Sequence, residues 1–124
     1  DQVAARLQRA AVGIVPYEES SGVHCAFVAK IVEYLATGLP VVSTSLDSAQ
    51  RYFGREPAVK FAGFDGDVFG QAVLDWLKEP AERRDRVGRA ASQRVRAELD
   101  WRVIGKNAID FVEQIAQEQR GIRE

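Results

Sequence analysis

Hydrophobic and polar positions along this chain switch between two rhythms. Val3, Leu7 and Ala10 recur at helical spacing, which predicts an opening amphipathic helix. Ala11-Val-Gly-Ile-Val15 is then a continuous apolar run stopped by Pro16, the pattern of a buried parallel strand. The polar, turn-rich stretch Tyr17 to Gly22 reads as a loop. A helix is predicted over Cys25 to Thr37, with Phe27, Ile31, Tyr34 and Leu35 on its core side. Gly38 is its stop signal, and Pro40-Val-Val-Ser-Thr44 follows as a second buried strand.

The alternation continues downstream. Asp47 or Ser48 can cap a short helix through Phe53, and Ala58 to Ala62 is a third, weaker strand. Asp65 to Lys78 reads as a helix with a wide stripe of Val68, Phe69, Ala72, Val73, Trp76 and Leu77. Pro80 suits the first turn of a further helix. Its Arg83, Arg84, Arg86 and Arg89 alternate with acids and read as a solvent face. Asp100 caps a last helix that keeps its period through Trp101, Ile104, Ala108, Phe111, Val112 and Ile115, and Gln117 to Glu124 is expected to fray. Strands alternating with helices predict an α/β layer fold with a parallel sheet.

Composition narrows the function classes. The 124 residues suit one domain with one core, and a net charge of −1 gives no electrostatic reason to expect a nucleic-acid partner. A single cysteine, Cys25, excludes an internal disulfide and a cysteine-based zinc site, in keeping with a reducing cytoplasm. No apolar run approaches the ~20 residues that span a bilayer. The chain contains no methionine, which is expected of a fragment of a longer protein. Three strands make a thin sheet, so further strands are expected upstream of Asp1.

The segment with most chemistry is Lys30-Ile-Val-Glu-Tyr-Leu-Ala-Thr-Gly-Leu-Pro-Val-Val-Ser-Thr44. Lys30 and Glu33 lie three apart on the predicted helix and so share a face. On periodicity alone such a pair is most often a solvated helix face. A cation and a carboxylate side by side can also address one ligand, the ammonium meeting phosphate and the carboxylate accepting from a pair of hydroxyls. Upstream, Ser20, Ser21, Gly22, Val23 and His24 lie between a strand and a helix, where backbone N–H groups gather at anions. Gly22 has no side chain to hold a diphosphate away from the backbone. A plain connecting loop is the competing reading.

The Lys30 to Val42 segment resembles the signature of group 1, family 4-like glycosyltransferases of the GT-B fold, K-x-x-E-Y-L-A-x-G-x-P-V-V. Ala10-Ala-Val-Gly-Ile-Val-Pro-Tyr17 is similar to that family's strand and proline before the donor loop. Glu98-Leu-Asp-Trp101 looks like its Trp-bearing start of a closing helix. The resemblance implies a Rossmann-like three-layer domain with a parallel sheet: the C-terminal, donor-binding half of a GT-B fold, truncated at its N-terminus. Residues 1–124 would then be a single nucleotide-sugar-binding domain from a two-domain enzyme. In the family the glutamate corresponding to Glu33 grips the ribose, and Lys30 falls to the diphosphate. Tyr17 would stack on or hydrogen-bond the nucleotide, unless it is an aromatic plug over the strand end. Gly22, Val23 and His24 would line the phosphates.

Departures from the pattern bear on specificity. Many members carry an earlier glutamate near the donor sugar, and counting back from Glu33 that position is Cys25. Members with the lysine variant often have proline two residues before it, where this chain has Val28. The function implied is transfer of a sugar from a nucleoside-diphosphate sugar to an acceptor, with catalytic groups largely in the missing N-terminal domain and no metal or cofactor. The fragment alone is expected to be inactive. The intact enzyme would be cytoplasmic, with room for peripheral membrane association. A nucleotide-sugar epimerase of the same fold is one alternative. A non-catalytic flavodoxin-like receiver module is another, although a receiver would place an aspartate at a central strand end, where this chain has Pro16 and Thr44-Ser45.

Overall fold

The computed structural model describes residues 2–121. A helix, α1 (Gln2–Leu7), leads into strand β1 (Gly13–Val15). After a long loop come α2 (Ala29–Ala36), β2 (Val41–Thr44), α3 (Asp47–Phe53) and β3 (Val59–Ala62). Three helices close the chain: α4 (Gly66–Lys78), α5 (Ala81–Leu99) and α6 (Trp101–Gly121). The strands form one parallel sheet in the order β1-β2-β3, with Ile14 opposite Val42 and Val42 opposite Lys60. The adjacent parallel pairing expected of the first two strands is therefore observed, and the chain is an α/β domain of Rossmann type.

Strand alternation sorts the core into two faces. Val15, Val41 and Val59 join Ile31 and Leu35 of α2, Ala49 and Phe53 of α3, and Ala91 and Val95 of α5. On the opposite face Val42 and Ala62 meet Trp76 of α4, with Phe69, Ala72 and Val73 around it. The sheet is thus a layer between α2, α3 and α5 on one side and α4 on the other. The indole of Trp76 donates to the Val41 carbonyl at 3.3 Å, and Lys60 sits 4.4 Å over its ring. β2 is buried along its whole length, including Ser43, whose hydroxyl donates to the Thr44 carbonyl.

Several boundaries differ from the periodicity. α2 begins at Ala29 rather than Cys25. Val28, Ile31 and Leu35 form the row that faces the sheet, at spacings of three and four. Phe27 is off that row and 58% exposed, packed edge-on against Tyr52 instead of in the core. The apolar stripe of α4 is narrower than expected, because Val68 and Leu77 are about half exposed. Pro80 is the N-cap of α5, one residue before its first turn, and its carbonyl accepts from the Arg83 and Arg84 N–H groups. Helix α6 runs on through Gln117 to Gly121, where fraying was expected, and residues 122–124 of that tail lie outside the described set. No residue of α6 is buried, and Trp101, Ile109, Phe111 and Val112 are mostly exposed.

The end of α2 is fully accounted for, which matters because this helix carries Lys30 and Glu33. Gly38 has φ +84, the left-handed conformation that glycine adopts without penalty. Its N–H donates to the Leu35 carbonyl, and the Leu39 N–H reaches back to Tyr34, the pattern of a Schellman turn. Thr37 N–H donates to Glu33. The remaining carbonyl, of Ala36, accepts from the Ser92 hydroxyl at 2.8 Å and from the Arg96 guanidinium at 2.9 Å. All four terminal carbonyls of α2 thus have partners, one of them through α5.

Candidate functional site at the carboxyl ends of the strands

In open parallel sheets ligands settle beyond the carboxyl ends of the strands. Three loops leave that end here. The first runs from Pro16 to Val28, the second follows Thr44, and the third follows Ala62. The Tyr17 N–H donates to the Thr44 hydroxyl at 3.2 Å, so the start of the first loop is fastened to the end of the central strand. Pro16, Tyr17, Glu18 and Thr44 line a 260 Å³ depression there, with Phe64, Gly66 and Phe69 on its far wall.

Lys30 and Glu33 lie on the outward face of α2. Lys30 Nζ donates to Glu33 Oε2 at 2.8 Å, and the side chains are 61% and 55% exposed. The hydrogen bond and charge of Glu33 hold the Lys30 ammonium above its ordinary pKa, with smaller contributions from Tyr34 and Tyr17. Val28 offers no side-chain cap, so α2 opens without a capping side chain on its first N–H groups. Glu33 also lies at the edge of a 350 Å³ apolar cavity walled by Phe27, Val32, Leu99, Trp101 and Ile104.

The remaining residues picked out from the sequence are placed as follows. Ser20 to His24 do not open the helix. Val23 and His24 form a tight 3-10 turn with Cys25, and an extended stretch separates that turn from α2. Gly22 precedes that turn in the ordinary right-handed region, and a Cβ there would meet nothing within 4 Å. Packing among the described residues thus does not require a glycine at this position. Val23 turns its side chain onto the core cluster, and its carbonyl accepts from the Ala26 N–H. Cys25 is exposed, not packed.

Other features escaped sequence reasoning. Asp47 contacts His24, and the Ser48 hydroxyl donates to the Ala26 carbonyl at 2.5 Å. The loop after β1 is therefore tied to α3. The arginine run of α5 is more than a solvent face. Arg84 donates to the carbonyls of Trp76, Leu77 and Glu79, closing the end of α4. Downstream in α5, Arg94 grips Glu56 with two hydrogen bonds. Except for the contacts of Arg84, these pairs are far apart in sequence, and no local spacing signals them. Among the described residues no group of three or more His, Cys, Asp or Glu side chains could hold a metal ion. No helix among them is long and apolar enough to cross a membrane.

Residues 2–110 match the family model described as glycosyl transferase-like, nearly the whole chain. The chain belongs to that family. The resemblance carried by Lys30 to Val42 and the observed parallel α/β sheet point the same way. No curated protein and no solved structure gives a significant match. Within this glycosyl transferase-like domain the segment with the family resemblance contributes α2, the turn at Gly38 and β2.

Proposed function

We propose that this chain is the donor-binding part of a two-domain glycosyltransferase, which takes a nucleoside-diphosphate sugar and passes the sugar to an acceptor held by another domain. The observation that carries the reading is the Lys30–Glu33 pair: a cation in the first turn of α2 and a carboxylate one turn on, 2.8 Å apart and both exposed, on a helix with no side-chain cap. Glu33 would accept from both ribose hydroxyls, and Lys30 would exchange part of its contact with Glu33 for the diphosphate. Tyr17 would border the nucleotide, while His24 and the backbone of Gly22 and Val23 would flank the phosphates.

The chemistry follows from charge. Transfer of the sugar leaves negative charge on the departing diphosphate, and a fixed cation with N–H donors around it lowers the barrier by stabilising that charge where it develops. Holding the donor in one pose adds the benefit of orientation. Neither step needs a metal ion. The acceptor site is assigned to the other domain, so residues 1–124 alone should bind the donor without turning it over.

Calorimetric titration with a nucleoside, its monophosphate and its diphosphate tests the roles. Glu33→Ala should weaken the nucleoside by about 1.5–3 kcal/mol, the range for charge-assisted hydrogen bonds, and a dideoxyribose ligand should show no such deficit. Lys30→Ala should weaken the diphosphate far more than the nucleoside. Wild-type affinity of both variants for all three ligands would reduce the pair to a solvated helix face.

A further inference from the structure

Helix α6 carries an apolar seam that the rest of the described chain leaves uncovered. Trp101, Ile104, Ala108, Phe111 and Ile115 recur at intervals of three, four, three and four. That is the spacing by which one helix packs lengthwise on another. Val112 widens the stripe. Trp101 is 83% exposed, and Phe111 and Val112 keep 63% and 64% of their surface open. No residue of α6 is buried, and its main contact with the body is α5.

The two ends of the seam differ in shape. At its start Trp101 and Ile104 form one wall of the 350 Å³ apolar cavity, with Phe27, Val32 and Leu99 around it. Ile115 is exposed, about 16 Å along the axis from Ile104 at 1.5 Å per residue. A two-fold axis across the middle of α6 brings the Ile115 end of one copy to the cavity of another, and the reverse. Antiparallel pairing then sets Ile104 against Ile115 and small Ala108 against large Phe111, so the facing volumes complement each other. Parallel pairing would set Phe111 on Phe111 and Ala108 on Ala108, and would carry Ile115 away from both cavities.

Charge favours a second copy over a membrane as the occupant. α6 carries three basic and three acidic side chains, so its polar face has no net attraction for anionic lipid. The chain's net charge of −1 sets little repulsion between copies. With aromatic side chains carrying about 150–250 Å² each, the open part of the stripe amounts to roughly 600 Å² per copy. Two copies would together bury roughly 1,200 Å², the lower limit for a specific interface, which suits a dimer of micromolar affinity.

We infer that α6 is a self-association surface: two copies pair antiparallel from Trp101 to Ile115, each seating its Ile115 end at the other's cavity. Phe111 and Ile115 take no part in the nucleotide-sugar site proposed above, so titration of a nucleoside reports on that site separately.

Sedimentation equilibrium of the chain from about 1 to 200 µM tests this pairing, with tryptophan emission read on the same samples. The mass should rise from one chain to two. Emission should shift to the blue as Trp101 is covered, since Trp76 is buried already. Phe111→Glu and Ile115→Glu should each weaken association by roughly tenfold or more, because the carboxylate would be buried unpaired in the seam. Both positions are exposed in one copy, so thermal unfolding should show both variants folded. Gln117→Ala, on the opposite face of α6, should associate like wild type. A chain still monomeric at about 200 µM would overturn the inference. So would a dimer that persists in Phe111→Glu, or one that forms without a shift in emission. Binding to anionic phospholipid vesicles without a dimer in solution would overturn it in favour of a membrane occupant.

Discussion

Gly88 of α5 lies directly against Gly38, the turn residue that ends α2. A Cβ added at Gly88 would fall inside the Gly38 carbonyl oxygen, with the carbonyl carbon 2.8 Å away. The clash is with backbone, so no rotamer change can relieve it. Gly38 is itself held at φ +84. The two glycines let helices α2 and α5 approach closely enough for Ser92 and Arg96 to reach the Ala36 carbonyl.

Gly88→Ala should therefore destabilise the domain by about 3 kcal/mol, the upper range for overpacking, despite the better helix propensity of alanine. Gly70→Ala in α4 is the control, because a Cβ there meets nothing within 4 Å. It should stabilise by about 0.5–1 kcal/mol. Urea unfolding of the two variants checks the contrast. Equal effects would show that α2 and α5 do not pack at this distance.

Arg96→Ala removes the guanidinium from the Ala36 carbonyl while Ser92 keeps its bond. A loss of about 1 kcal/mol is expected, that of an ordinary hydrogen bond rather than one to a charged group, because Arg96 is exposed. Amide exchange should accelerate first in the last turn of α2. Acceleration confined to α5 would contradict the clamp.

The Asp100 carboxyl lies at about 2, well below its ordinary 3.8, because the Arg102 side chain and backbone N–H both donate to it. Its folded pKa is depressed. Its contribution is therefore complete above about pH 4 to 5 and disappears as the pH falls through 2. Asp100→Asn should lower stability at neutral pH, and the gap to wild type should close near pH 2. A gap that stayed constant down to pH 2 would refute the assignment.

The two tryptophans report different environments. Trp76 is 3% exposed and bonded to Val41, whereas Trp101 is 83% exposed. Trp101→Phe should leave a blue-shifted emission that acrylamide quenches poorly. Trp76→Phe loses the indole bond to a buried carbonyl and should cost about 1–3 kcal/mol. Efficient quenching in the Trp101→Phe variant would place Trp76 outside the core.

The elements legible in the sequence were those announced by local signals. β1 stops at Pro16, α2 stops at Gly38, Asp65 caps α4 with bonds to Asp67 and Val68, and Asp100 caps α6. Each signal acts within a few residues, so a linear reading finds it. The start of α2 was misplaced because Cys25 to Val28 contains no breaker, and only the sheet decides that Val28 faces inward while Phe27 does not. The Lys30–Glu33 contact followed from helical spacing alone. The hold of Asp47 and Phe64 on His24 did not, since three separate loops meet there only once the strands have aligned.

The eight residues of α2 are too few to persist as a helix in water, where isolated helices need roughly 12–15. Its buried row packs in the core with residues of β1, β2, β3, α3 and α5, and its last carbonyl accepts from α5. Helix and sheet are therefore expected to form together, since pairing Gly13 with Val41 closes the loop that carries α2. Folding should be slower than in helical bundles of this size, and the unfolded ensemble should hold no trace of the Lys30 and Glu33 face.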